Sequence, residues 1–243
     1  VIAKISSKKQ QVIRFYYSIA ASIIIILGLY QYINSSIIIS TLYGENKVAY
    51  LPDSSIVKLN SGSKISYKRF FWKNNKVVQL EGEAFFNITK GAPFKINSPS
   101  GEVSVLGTQF NIKDRANSYR LQCYSGKVSF KNDHSKAYIL KKGDQITLLD
   151  KKVTPAKHLL EKPHWQDGLS IYNESSLIEV LNDIERQFNI KFNNTNVDYT
   201  KIFSGSFTYN NLENALRTTL TPMGITYTIS KDNKTVTLKN VIQ

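Results

Sequence analysis

An uncharged apolar run at residues 15–33 constrains the fold of this chain more than any other feature, since no charged side chain lies between Arg14 and Glu45. As a helix, its 19 residues would span about 28 Å, close to the membrane's hydrocarbon thickness of about 30 Å. Tyrosines stand near both ends of the run, as in the aromatic belts at membrane interfaces. We therefore predict a transmembrane helix at residues 15–33, between a flank at residues 1–14 and a linker at residues 34–45.

The basic residues around this run predict its orientation. Four basic residues and no acidic one precede it, whereas Lys47 is the only basic residue among the 20 positions that follow. Because positively charged flanks stay in the cytoplasm, we expect residues 1–14 to be cytoplasmic and residues 34–243 to lie outside it. The sequence begins with Val1 rather than Met, so we expect a further cytoplasmic segment before it.

Two other interpretations of the run stay open. A cleaved signal peptide has a shorter apolar core and a small-residue cleavage site, and the residues after position 33 contain no clear A-x-A pattern. A buried strand is the second alternative, because the four isoleucines at residues 23–26 are β-branched. The uncharged stretch is, however, longer than ordinary strands.

The formal net charge of +14 is concentrated in the middle of the chain. Residues 34–160 hold 20 basic and 9 acidic side chains, whereas residues 161–243 hold 8 and 9. A basic domain outside the cytoplasm does not meet chromosomal DNA, so we expect no nucleic-acid partner. Lipid head groups, a surface polysaccharide and another protein are the alternatives to a simply solvated surface.

Residues 46–153 show the pattern of an all-β domain. Short runs of alternating apolar and polar residues, rich in Val, Ile, Phe and Tyr, are separated every 8 to 12 residues by turn-forming residues. We predict a solenoid-like or sandwich fold without helices. The predicted strands are 47–51, 56–59, 64–67, 76–80, 83–88, 94–97, 102–106, 109–113, 119–124, 127–131, 137–140 and 145–149.

After a second linker at residues 154–164, residues 165–243 predict a small α+β domain. A β-α-β unit occurs twice, with a period of about 35 to 37 residues. We expect Ser176 with Glu179 to form a capping box at the first helix, Asn210 with Glu213 to cap the second, and Pro222 with Gly224 to end it. The predicted strands are 168–172, 190–192, 205–209, 225–229 and 235–239. The expected fold class is mainly β, with one membrane helix.

Signals for catalysis or metal binding are weak. Glu81 and Glu83 could form a carboxylate pair, but Gly82 between them favours a bulge that would separate them. The three histidines, His134, His158 and His164, lack metal-binding spacing and are expected in exposed loops, while Cys123 is expected to be a small buried apolar residue without a disulfide partner. We therefore predict no cofactor, no metal and no enzymatic activity.

Several motifs in the β region occur in a familiar order. They are LPDSS (51–55), VKLN (57–60), VQLEGEAFF (78–86), PF (93–94), VLGT (105–108), FN (110–111) and GKV (126–128). Together they resemble the FecR family of membrane-anchored sigma-factor regulators, from about residue 44 to 150. Residues 165–239, with Glu185-Arg186, resemble the C-terminal domain of the Bacteroidetes branch, which is related to the short N-terminal (STN) fold of secretins and TonB-dependent transporters.

We expect the motif residues to be structural rather than ligand-binding. Glycines supply bends between strands, Pro52-Asp53 sets a turn, and the phenylalanines are core residues. The complete set is Pro52, Asp53, Gly82, Glu83, Phe85, Pro93, Phe94, Gly107, Thr108, Phe110, Gly126 and Trp165. The chain departs from the family pattern at Ser54, where glycine is usual, and at Lys142, where proline is common.

The resemblance implies a signalling mechanism. The protein would sit in the inner membrane with its bulk in the periplasm and dock the signalling domain of an outer-membrane TonB-dependent transporter that has bound its cargo. An extracytoplasmic-function sigma factor would then be released or activated through a cytoplasmic segment not in this chain. The resemblance also implies regulated proteolysis near the anchor, with a periplasmic protease as a further partner.

The strand around residues 203–209 is the docking candidate. Phe203, Gly205, Phe207 and Tyr209 alternate along it, and an accessible strand edge could accept a partner strand through main-chain hydrogen bonds. Equally, Phe203 and Phe207 could face the core of their own domain.

Two other functions stay open. An anchored polysaccharide-binding protein could use exposed aromatic residues of the basic domain, such as Tyr67, Phe71 and Trp72. A glycan hydrolase would have to use Glu83, the only candidate carboxylate.

Overall fold

The computed structural model describes residues 2–70, 72–115, 118–132, 137–149, 152–195 and 197–240. Phe71 and His134, named above, lie outside these ranges.

The chain begins with one long helix, α1 (Ile2–Asn34). Its stretch Arg14–Asn34 has the length and composition of a membrane span, and none of it is buried against the rest of the protein. This is compatible with a single-pass membrane anchor. The flank expected before the span is helical too, because no proline or glycine interrupts the sequence before Gly28.

Thirteen strands, counted over the described part of the β domain, form one continuous, strongly curled sheet. They are β1 (Ser36–Ser40), β2 (Lys47–Tyr50), β3 (Ile56–Leu59), β4 (Lys64–Lys68), β5 (Lys76–Asn87), β6 (Phe94–Ser98), β7 (Gly101–Val105), β8 (Gln109–Arg115), β9 (Ser118–Ser125), β10 (Lys127–Lys131), β11 (Tyr138–Lys141), β12 (Asp144–Leu149) and β13 (Lys152–Lys157). The buried apolar side chains of this sheet form one core, which includes Leu59, Phe86, Phe94, Phe110 and Phe130. The expected mainly β fold is confirmed.

The strand β5 joins the two parts of this sheet. Residues before Gly82 pair with β4 and β6, and residues from Gly82 onward pair with β3 and β8. The two strands predicted at residues 76–80 and 83–88 are therefore one strand of 12 residues. Gly82 acts as the bend that was expected there, but the chain continues through it as a strand.

Both predicted linkers were wrong in part. Residues 36–40 form β1, which pairs with β4, and β13 extends into the second linker as the partner of β12. Neither segment alternates clearly, because β1 is three isoleucines between two serines and β13 contains Pro155, which is unusual inside a strand.

The C-terminal domain contains both predicted β-α-β units. Its elements are β14 (Leu169–Ser176), α2 (Leu177–Phe188), β15 (Lys191–Thr195), β16 (Ile202–Thr208), α3 (Leu212–Leu220), β17 (Ile225–Ile229) and β18 (Thr235–Asn240), with short 3₁₀ helices at His164–Asp167 and Thr221–Met223. The two first strands, β14 and β16, pair with each other, and β18 lies between β15 and β17. The described strands of this domain therefore form two small sheets.

The two helix starts differ from the predicted caps. Ser176 occupies the N-cap of α2, but its side chain makes no capping hydrogen bond. The Glu179 carboxylate, the other half of the predicted capping box, accepts from Lys113 and Ser118 of the β domain instead. Asn211, not Asn210, caps α3 by accepting a hydrogen bond from the amide of Asn214. The predicted end of α3 is correct, since a 3₁₀ turn containing Pro222 follows and Gly224 has a left-handed conformation.

Replacing Gly82 with alanine should destabilise the β domain by about 2–5 kcal/mol. Gly82 has a φ of +100°, and a Cβ there would lie 2.9 Å from the Cα of Ser63. Gly91→Ala is the matched control, because Gly91 also has positive φ but has open space around it. Chemical unfolding of the detergent-solubilised chain should show the larger loss for Gly82→Ala; equal losses would contradict the steric explanation.

Candidate functional site at the interface of the two domains

The side chain of Lys113 lies at the centre of the contact between the β domain and the C-terminal domain. Its Nζ donates to Oδ2 of Asp183 at 2.7 Å and to Oε1 of Glu179 at 2.9 Å. The two carboxylates share one face of α2 because they are four residues apart. The Lys113 and Asp183 side chains are only 8% and 10% exposed. A buried cation of one domain is thus held by two carboxylates of the other.

Electrostatics keep this cluster ionised. Burial alone would raise the pKa of Asp183, but Lys113, Arg186 and Arg115 outweigh it and hold that pKa well below its usual range. Burial alone would lower the pKa of Lys113, but Asp183 and Glu179 outweigh it and raise that pKa. All three groups therefore remain charged at neutral pH. The phenol of Tyr172 adds a hydrogen bond to Oδ2 of Asp183 at 2.8 Å.

The carboxylate of Glu83 forms a second buried centre at the same interface. It accepts hydrogen bonds from the side-chain amides of Asn60 at 2.9 Å and Asn111 at 3.0 Å. The C-terminal domain joins this group because Trp165 donates its indole N–H to Oδ1 of Asn111 at 3.1 Å and Gln187 donates to Oδ1 of Asn60 at 3.0 Å. Glu83 therefore organises amide groups that contact the second domain.

The two glutamates considered as a carboxylate pair do not form one. Glu81 is exposed and pairs with Lys64 at 2.8 Å, while Glu83 is buried on the other side of the bend at Gly82. Both Glu83 oxygens accept hydrogen bonds from side-chain amides, so this carboxylate is engaged within the interface. The hydrolase interpretation loses its candidate residue.

A third contact ties the segment after β1 to α2. The amide of Gly44 donates to the carbonyl of Arg186 at 2.7 Å. The ammonium of Lys191 lies 5.5 Å from the ring centroid of Tyr43, within cation–π range. The Arg186 side chain also forms an ion pair with Asp183. Only the short strand β1 separates this contact from the end of the apolar helix α1.

Helix α2 is buried on two sides. Its apolar stripe packs in the core of the C-terminal domain through Leu177, Val180, Leu181 and Ile184. Its polar side bears Glu179, Asp183 and Gln187, which bond to the β domain. Sequence reasoning missed this second contact because acidic and amide side chains opposite an apolar stripe usually face water. No local pattern distinguishes these side chains from the solvent-exposed side of an amphipathic helix.

The docking candidates on β16 are divided between the core and the surface. Phe203 and Phe207 are buried and lie near the ring of Tyr172, with centroid distances of 6.1 and 5.9 Å. A Cβ at Gly205 would lie 2.6 Å from the Phe203 ring, which explains the glycine. Tyr209 is partly buried, and its hydroxyl pairs with that of Ser170 at 2.8 Å. The phenylalanines therefore face their own core, which was the alternative expectation.

The remaining motif residues lie at turns and in the cores. Phe94 and Phe110 are fully buried, and Phe85 forms a small cluster with Tyr124 and Trp165. Asp53 accepts hydrogen bonds from the amide of Ser55 and from Lys76. Turns and close chain contacts involve Pro52, Pro93, Gly107, Thr108 and Gly126, with the Thr108 hydroxyl bonded to the carbonyl of Lys127 at 2.9 Å.

Of the aromatic residues proposed for polysaccharide binding, the two that the structure describes are not available on the surface. Tyr67 and Trp72 are both buried, and Trp72 packs edge-to-face against Phe94 with a centroid distance of 5.5 Å. The prediction of exposure was wrong for both, because Tyr67 packs against Trp72 and Trp72 packs against Phe94, which is distant in sequence. The polysaccharide interpretation therefore loses these two residues.

The described histidines and Cys123 occupy buried or partly buried positions in the fold. His158 is half-buried, not exposed as expected; its Nε2 lies 3.1 Å from the carbonyl of Cys123, and burial lowers its pKa. Burial also raises the pKa of the Cys123 thiol to about 11. His164 begins a 3₁₀ helix and is partly buried. Among the described residues, no three His, Cys, Asp or Glu side chains are grouped to hold a metal ion.

Comparison with known proteins gives the family of this fold. A model described as FecR protein matches residues 38–129, and one described as FecR, C-terminal, matches residues 170–238. The chain belongs to the FecR family. This membership supports a role as a sigma regulator, and the family is regulatory rather than typically enzymatic.

Two solved structures are similar to this FecR-family chain. Both are of a candidate anti-sigma factor from Parabacteroides distasonis ATCC 8503, at 26% identity. One covers 86% of this chain with a TM-score of 0.75 and the other covers 85% with a TM-score of 0.74; each is matched over 100% of its own length. The chain matches none of the curated proteins with which it was compared.

Replacing Lys113 with methionine should lower the free energy of unfolding of this FecR-family protein by about 3–5 kcal/mol. Asp183 and Glu179 would then remain as buried charges without their cation. Lys95→Met is the matched control, since the exposed pair of Lys95 with Glu102 should contribute at most about 1 kcal/mol. Chemical unfolding of the solubilised chain measures both. Equal, small losses would show that the interface does not depend on Lys113.

Proposed function

We propose that this FecR-family protein is a single-pass inner-membrane regulator of an extracytoplasmic-function sigma factor. Its periplasmic part docks the signalling domain of an outer-membrane TonB-dependent transporter and relays cargo binding across the membrane. The observation that carries the proposal is the order of parts: a helix of membrane-spanning length, then the FecR domain, then the FecR C-terminal domain. The sigma factor is contacted on the cytoplasmic side.

The charges around α1 support this orientation. Basic residues precede the apolar stretch, and they are sparse immediately after it. Since basic flanks are retained in the cytoplasm, the amino terminus is cytoplasmic and both folded domains are periplasmic. A cytoplasmic sigma factor and a periplasmic transporter domain then contact opposite ends of one chain.

The docking site in this proposal is the outer edge of β16. Among the described residues, β16 pairs only with β14. The amide of Tyr209 donates to the carbonyl of Gly168, and hydrogen-bonded positions alternate along antiparallel strands. The ladder register therefore directs the amides of Phe207 and Gly205 toward β14, and those of Ser206 and Thr208 away from it. These outward amides can receive a partner strand.

Side chains beside this edge suit a protein partner. Ile202 is 59% exposed, and Ile171, opposite Ser206 on β14, is also exposed. In strand addition, main-chain hydrogen bonds supply affinity and neighbouring side chains supply specificity. The buried Phe203 and Phe207 support the strand from within, so the partner contacts the backbone and the outward side chains rather than these rings.

Helix α2 connects the docking strand to the membrane side of the molecule. It packs in the same core as Phe203 and Phe207, and its polar side holds Lys113 of the β domain. The carbonyl of Arg186, near its C-terminal end, accepts the amide of Gly44, which lies shortly after β1. A displacement of β16 on docking would therefore be transmitted by one rigid helix, α2, to the segment after β1, which leads back to α1.

Ser206→Pro should reduce affinity for the transporter's signalling domain at least about tenfold, because it removes an outward main-chain donor and obstructs an added strand. The fold should survive, since Ser206 is exposed, its amide points away from β14, and the preceding Gly205 has no Cβ to clash with the proline ring. Titration calorimetry with the signalling domain of the transporter whose gene neighbours this one measures the affinity.

Ser206→Ala is the control, because it removes the same hydroxyl and keeps the amide. It should bind like the unsubstituted chain and give a normal response of a sigma-dependent reporter to the transporter's cargo. Undiminished binding by a folded Ser206→Pro variant would exclude the β16 edge as the docking site.

A further inference from the structure

The loop between β4 and β5 lies beside the point where the membrane helix ends. In the sheet, Ser36 pairs with Lys68, and Ser36 follows the last residue of α1, Asn34, by only two positions. The Lys68 ammonium lies 3.3 Å from Oδ1 of Asn34, and the ring of Phe70 lies 5.1 Å from that of Tyr32. The strand register and two side-chain contacts thus hold this loop beside the C-terminal end of α1, where its apolar stretch ends.

The loop surface is basic and carries one exposed aromatic ring. Lys68, Arg69 and Lys73 are all exposed, and none has an ion-pair partner among the described residues. Asp53, a carboxylate of the neighbouring β2–β3 turn, is already paired with Lys76 at 2.7 Å. Phe70 is 46% exposed. This one loop therefore carries three cations without an ion-pair partner and an exposed aromatic ring.

Buried aromatic residues hold the loop in place. Trp72 contacts Tyr67 at a centroid distance of 5.1 Å and Phe94 at 5.5 Å, and all three are buried. Trp72 therefore anchors the loop to the core between two exposed basic positions, Arg69 and Lys73. The cations are presented by a packed support rather than by a free chain, which lowers the entropy lost when they bind a surface.

We propose that Lys68, Arg69, Phe70 and Lys73 form a membrane-surface anchor that binds the anionic lipid headgroups of the leaflet from which α1 emerges. The inference rests on the proposed function in one respect, that α1 spans the membrane. Phosphate groups of anionic lipids complement the three cations, and an aromatic ring suits the headgroup boundary. A lipid surface is the occupant because α1 itself brings it within reach of the loop. The anchor holds the β domain against the membrane.

The experiment uses the full chain with Asn74→Cys, labelled with an environment-sensitive fluorophore. Asn74 is exposed beside the basic residues, and the native Cys123 is buried, so the label reports on the loop. The protein is reconstituted into vesicles of phosphatidylcholine alone or with phosphatidylglycerol, and flotation of the protein with the vesicles is recorded. We expect flotation with both, and blue-shifted emission only with phosphatidylglycerol, which added salt reverses.

Charge reversal tests the residues themselves. With Lys68→Glu, Arg69→Glu and Lys73→Glu combined, the blue shift should disappear, since each basic residue contributes about fivefold to binding an anionic surface. The matched control is Lys231→Glu, Lys234→Glu and Lys239→Glu, three exposed lysines of the other domain. This variant has the same net charge and should retain the blue shift.

The outcomes separate the anchor from the membrane helix. Flotation with identical, water-like emission in both vesicles would overturn the lipid anchor and leave the proposed function intact. Failure to float with either vesicle would overturn both. Equal loss of the blue shift in the two charge-reversed variants would also overturn the anchor, because it would show an effect of net charge alone.

Discussion

The ion pairs of Lys113 with Asp183 and Glu179 are the interaction on which the arrangement of the two domains depends. Removing one lysine and two carboxylates from water is unfavourable unless all three meet, and they meet only when α2 lies against β8. Apolar contacts could join the domains in several orientations. The buried Lys113 needs two carboxylates four residues apart on one helix, so it favours a single orientation of the two domains. We regard this choice of orientation as the main contribution of the ion pairs.

This arrangement gives α2 a double role. Its apolar side belongs to the core beneath β16, while its polar side belongs to the β domain and its last turn contacts the segment after β1. The proposed docking edge and the membrane helix are thus connected through packed and hydrogen-bonded elements rather than through a flexible linker. The proposed lipid anchor would add a second fixed point, so that a displacement of α2 acts against the membrane rather than rotating the whole domain.

Much of the fold could be predicted because the relevant patterns are local. The apolar stretch of α1, the alternation in the β domain and the stripe of α2 each depend on residues within one element. Several errors concern contacts between distant residues, since β1 pairs with β4 and Trp72 packs against Phe94. The interface was missed for the same reason. Nothing local distinguishes Lys113 or Glu179 from solvent-exposed charges, since their burial exists only after both domains have folded.

Hydrogen–deuterium exchange of the full chain, free and bound to the transporter's signalling domain, tests most directly whether α2 links the docking strand to the membrane side. We predict slower exchange at β16 on binding, accompanied by slower exchange in α2 and in residues 41–44. Protection confined to β14 and β16, with α2 and residues 41–44 unchanged, would contradict the account.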